Sequence, residues 1–155
     1  MWNYKKSVKL SLVVCWFLAV LLLAMVAFGP SVFDLYMTGY RGFQANGEAI
    51  GRIKTTFIVC FYPSAVFAGV ILYCLIKLLN NIKSGEIFIL ENEKLLRVVS
   101  WCCFIIGAIT FIGGFFYMPF MFVALAGGFV GMMLRVLKNV MQCAVEIREE
   151  NDLTI

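Results

Sequence analysis

Six cysteines and two clusters of carboxylates are the residues of this chain that could do chemistry. The cysteines are Cys15, Cys60, Cys74, Cys102, Cys103 and Cys143. A thiol can ligate a metal, act as a nucleophile or form a disulfide, and each use needs partners at a suitable spacing. No C-x-x-C pair occurs. Cys102 and Cys103 are adjacent, and adjacent helical residues point in different directions, which suits a bridge poorly. Most of the six lie inside apolar runs, where free cysteine behaves as a small hydrophobe. The carboxylate clusters are Glu91 with Glu93, and Glu146 with Glu149 and Glu150. Neither has histidine support, because the chain contains none. That removes the commonest general base, metal ligand and pH switch. No nucleophile elbow, P-loop or zinc motif appears. The expectation is a protein that is not an enzyme and holds no metal or cofactor.

What the rest of the chain must position is decided by one stretch. From Val98 to Leu134 there is no charged side chain. A single membrane helix needs only about 20 apolar residues. Gly113-Gly114 and Tyr117-Met118-Pro119 lie near the middle of the run, so it divides into a helical hairpin in lipid. The whole chain is 63% hydrophobic and 14% charged, against about 25% charged for soluble domains. Two further apolar runs give spans at about 10–28 and 55–79, with the hairpin at about 95–116 and 119–138. The first span is longer than the apolar core of a signal peptide and lacks a clean cleavage pattern, so it is expected to be retained. Pro63 falls inside the second span, where a kink is expected. The fold class predicted is all-α: one integral membrane domain over 1–155, an up-and-down four-helix bundle.

Lys and Arg set the orientation. Of the 13 in the chain, Arg41, Arg52 and Lys54 fall on one side and the others on the opposite side. Both termini are therefore expected in the cytoplasm. The net charge of +4 sits near the membrane boundaries and calls for no direct nucleic-acid contact. Gly29 to Lys54 is expected as a long external loop, rich in glycine and carrying Phe33, Tyr36, Tyr40 and Phe43. A flexible loop with its aromatics in the headgroup belt is favoured over a ligand-binding lid.

On the other side, Gly85 suits the left-handed cap of the second helix. Glu91 and Glu93 favour the start of the third, with Glu93 and Arg97 spaced to pair. Leu134, Leu137, Met141, Ala144 and Val145 keep one apolar face, so the fourth helix should continue into the cytoplasm to about Glu149, within a tail over 139–155. No Asp, Glu, Lys or Arg falls at the centre of a span, which argues against a proton-coupled pump. Gly127 and Gly131, with Ala124 and Gly128, form small-residue pairs that let helices approach closely. They suit a contact within the chain, with a homo-oligomer seam as the other possibility.

Two strings carry a resemblance. One is Ile82-x-x-Gly85-x-x-Phe88-x-x-x-Asn92-x-x-x-Leu96-Arg97; the other is Ala144-Val145-Glu146 through Glu150-Asn151-Asp152-Leu153-Thr154-Ile155. With the four spans they resemble the family known as domain of unknown function 2975 (DUF2975). The resemblance implies a bacterial inner-membrane protein, often encoded beside a small helix-turn-helix regulator. It points to Gly85, Phe88, Asn92, Arg97, Glu146, Glu150, Asn151, Asp152, Thr154 and Ile155 as a docking surface for such a regulator. The expected role is regulatory or sensory. The alternative is an oligomeric small-molecule transporter or channel component, since four helices without buried charge enclose little polar volume.

Overall fold

The computed structural model describes residues 4–41 and 47–152. The protein is all-helical: α1 Tyr4–Arg41, α2 Gly47–Lys83, α3 Leu90–Gly114 and α4 Pro119–Asp152. Backbone amides in lipid have no water to bond, so the apolar stretches close their hydrogen bonds within helices. All four helices are long and apolar enough to cross a bilayer. At 1.5 Å per residue, α3 is about 38 Å long, and α1, α2 and α4 each exceed about 50 Å. They pack in chain order, each antiparallel to the next, as an up-and-down bundle. α3, between α2 and α4, is the most enclosed of the four.

The loop expected over Gly29 to Lys54 is a correction. α1 continues to Arg41 and α2 begins at Gly47. Residues 42–46 of the expected loop, including Gly42 and Phe43, lie outside the described residues. Side-chain contact between the two helices overrides the local glycine and proline signals. Phe33 stacks on Phe57 at 4.4 Å between ring centroids. Phe57 stacks in turn on Phe61 and Phe120. The Lys54 ammonium pairs with Asp34 at 2.7 Å. Gly29 is a packing site here: a Cβ on it would come within 3.2 Å of the Phe61 ring.

The hairpin turn falls where the sequence places it. α3 ends at Gly114 and Pro119 opens α4, a position where its missing N–H costs nothing. The Phe116 and Tyr117 amides both donate to the Gly113 carbonyl. Gly113 lies against Cys60 and Phe120, leaving no room for a Cβ.

The tightest contact is between α3 and α4. A Cβ on Gly127 would lie 3.2 Å from the Cys103 carbonyl oxygen, and one on Gly107 would lie 3.4 Å from that of Ala124. Gly131 faces the Phe104 ring at 3.3 Å. Ala124 is buried. Gly128 has nothing within 4 Å of its Cβ direction. Three of the four expected small residues thus serve a contact inside the chain. The Ser100 hydroxyl donates to the Gly131 carbonyl at 2.8 Å across the same seam. Thr110 instead turns its hydroxyl back onto Ile106 and Gly107 of its own helix.

A methyl group tests this seam. Gly127→Ala should destabilise the protein in mild detergent by about 1–3 kcal/mol, as overpacking does. Gly128→Ala should leave the thermal aggregation midpoint unchanged or raise it. Equal midpoints for the two variants would contradict the close contact.

Candidate functional site

The densest polar network among the described residues lies at the end of the bundle where α2 turns into α3. The turn is built first by Gly85, the only described residue with a positive φ, at +89°. The Glu86 amide donates to the Asn81 carbonyl and the Gly85 amide to that of Ile82. This is the Schellman closure, which satisfies the last free carbonyls of a helix and favours glycine at the left-handed position. The chain then runs extended through Ile89, the N-cap of α3.

Asn92 holds this segment in place. It is fully buried, at 0% exposure. Its side-chain amide donates to the carbonyls of Glu86 (2.8 Å) and Ile87 (2.9 Å). Its Oδ1 accepts from Asn81 at 2.9 Å. Asn81 also donates to Glu91, whose other oxygen pairs with Lys77 at 2.6 Å. Asn92 therefore offers no surface that a partner could touch, although the resemblance places it in the docking set. Its work is to lock the 86–89 loop onto α2, because a buried amide is stable only when its donors and acceptor are all satisfied.

Glu93 does the same for α3 and α4. It is buried, and Oε1 accepts from the Arg97 guanidinium at 2.7 Å, the pairing expected from their spacing. The same oxygen lies 3.6 Å from the Lys138 ammonium on α4. Arg135, one turn before Lys138, sits over the Trp101 ring at 5.3 Å, a cation–π contact. Lys138 was visible in the sequence only as a boundary charge. Nothing in the linear spacing of Glu93 and Lys138 marks them as a pair.

The remaining docking candidates divide by position. Gly85, Phe88 and Arg97 are exposed around the turn. Glu146 is exposed on α4 and accepts from Gln142 at 3.1 Å. Glu150 is exposed further along the same helix. Asn151 and Asp152 are helical, so α4 runs past the expected stop near Glu149. Thr154 and Ile155 lie outside the described residues. Val145 is buried at 3% exposure, so α4 is still packed there. Among the described residues no three His, Cys, Asp or Glu side chains converge as a metal site would require. All six cysteines are free thiols, and only Cys143 is exposed.

Four helices long and apolar enough to cross a bilayer define a multi-pass, all-helical membrane protein. The profile of the family described as protein of unknown function (DUF2975) matches residues 40–155. The chain belongs to that family. No curated protein and no solved structure matches it.

The buried network and the surface ion pair separate experimentally. Asn92→Ala leaves two carbonyls and the Asn81 amide short of a partner, at about 1–3 kcal/mol for a buried group so stranded. It should lower the thermal midpoint in detergent and speed proteolysis within 84–89. Lys77→Ala removes only an exposed pair and should change neither. Wild-type protease resistance in Asn92→Ala would show that the loop is held by something else.

Proposed function

We propose that this chain is a regulatory membrane protein that docks a small helix-turn-helix DNA-binding regulator on the cytoplasmic face of a bacterial inner membrane. The lysine and arginine bias supports placing both termini and the α2–α3 turn in the cytoplasm. The observation that carries the proposal is the shape of that end. A loop locked by Asn92 leaves Phe88 exposed, and the last turns of α4 extend past the start of α3. Rigid presentation lowers the entropic cost of binding a partner.

The chemistry of the α4 end supports the kind of partner. Residues 146–152 hold Glu146, Glu149, Glu150 and Asp152 against the single Arg148. DNA-binding domains are basic on the face that meets phosphate. An acidic helix is complementary to that face and competes with DNA for it. Membrane capture would keep the regulator from its sites, and a change in helix packing would release it.

A second role, an oligomeric transporter or channel component, draws on a cavity at the opposite end. It measures about 690 Å³ and lies between α2 and the end of α3, with Arg52, Thr55 and Thr56 beside apolar Val59, Ile112 and Phe116. Its volume suits a small molecule. Strictly monomeric behaviour in mild detergent would count against a pore built from several copies.

The docking role has a direct test. A chain ending at Val145 should insert normally but fail to co-purify a helix-turn-helix protein that the full chain retains, identified by mass spectrometry. Glu146→Lys with Glu150→Lys should weaken retention in the full-length chain. Retention unchanged in both variants would sink the docking role.

A further inference from the structure

A cavity of about 260 Å³ opens between α3 and α4, lined by Arg97, Ser100, Trp101, Arg135 and Lys138. Three cations border one small space. Arg97 and Lys138 share a single carboxylate, Glu93. Among the described residues no carboxylate pairs with Arg135, which rests on the Trp101 ring instead. The lining therefore carries an excess of two positive charges. The Ser100 proton is committed to the Gly131 carbonyl, so the charged donors available to a ligand are the guanidinium and ammonium groups, beside the indole N–H of Trp101. Guanidinium favours bidentate contact with phosphate or carboxylate.

Depth narrows the ligand further. Arg97 immediately precedes the uncharged run Val98–Leu134, and Arg135 immediately follows it. The cavity thus lies at the edge of the hydrocarbon region, where Trp is enriched and phospholipid headgroups sit. Basic pockets between membrane helices at this level are suited to anionic head groups. We propose that this cavity binds a phosphate-bearing anion, with Arg135 as its principal contact, and that its depth selects an anionic phospholipid headgroup as the source. The inference rests on the chain spanning a membrane and is independent of the docked regulator.

The test uses Trp101 as the reporter. In a chain carrying Trp2→Phe and Trp16→Phe it is the sole tryptophan. Purified in uncharged detergent, this chain is titrated separately with dihexanoyl phosphatidylglycerol, dihexanoyl phosphatidylcholine and inorganic phosphate, following Trp101 emission. Saturable binding of phosphatidylglycerol, tighter than that of the zwitterionic lipid, is expected. Arg135→Gln should weaken it about fivefold, the effect of one lost interfacial cation. Lys94→Gln removes an equal charge from an exposed site outside the cavity and should leave the affinity unchanged.

Saturation by inorganic phosphate at the same concentrations would keep the anion site and assign it to a soluble phosphate. No saturation by either anion would overturn the proposal. So would equal losses in Arg135→Gln and Lys94→Gln, which would reduce the effect to general surface charge. Native mass spectrometry of the phosphatidylglycerol-loaded protein gives a second readout, with retained lipid expected to fall in Arg97→Gln.

Discussion

The near-contact of α3 and α4 backbones at Gly107 and Gly127 is the constraint on which the rest of the structure depends. In lipid there is little hydrophobic gain from bringing two apolar helices together, because the acyl chains are equally apolar. What remains is dispersion, which falls off steeply with distance. Glycine removes the side chain that would hold the axes apart, so Cys103, Gly107, Ala124 and Gly127 meet at van der Waals range. Once the axes are that close, Ser100 reaches the Gly131 carbonyl and Glu93 comes within ion-pair distance of Lys138. The register of the seam thus sets the polar arrangement at its end.

Polar contacts between helices are few, and most of them cluster at one end. The apolar spans leave most of the surface of α1 and α4 exposed to lipid, as their low internal burial shows. Specific geometry comes instead from Asn92, Asn81, Glu91 and Glu93, clustered where α2 turns into α3. Each of the carbonyls that Asn92 binds would otherwise face a dry interior with no partner. The loop is consequently fixed at the one end of the molecule where two helices finish and a third continues outward. A basic cavity at the headgroup level, the fixed loop and the acidic end of α4 follow one another outward along the bundle.

Much of this was legible in the sequence, and the exceptions have a common cause. The uncharged run from Val98 to Leu134 gave two spans and a turn because its length and its Gly-Gly and Pro signals are local properties. The left-handed Gly85, the acidic first turn of α3 and the Glu93–Arg97 pair are likewise effects within four residues of chain. The long external loop failed because Gly29, Pro30 and Gly39 are weak helix formers only in isolation. Phe33 on Phe57 and Asp34 with Lys54 outweigh them, and both pairs join residues twenty or more positions apart. Asn92 was drawn into the docking set as a polar residue in a distinctive string, whereas its burial depends on carbonyls presented by the folded loop.

Hydropathy and glycine placement by themselves determined a four-span helical membrane protein and its hairpin turn. These are sums over neighbouring residues and need no knowledge of what lies across the bundle. Tertiary structure alone decided that α1 and α2 extend as a helical pair, that the Cβ positions of Gly127 and Gly131 face α3 while that of Gly128 is open, and that Arg97, Arg135 and Lys138 border one cavity. Each of these turns on distances of 3–6 Å between residues far apart in the chain. Interactions at that range are steep in distance and silent in sequence, so only the packed helices could place them.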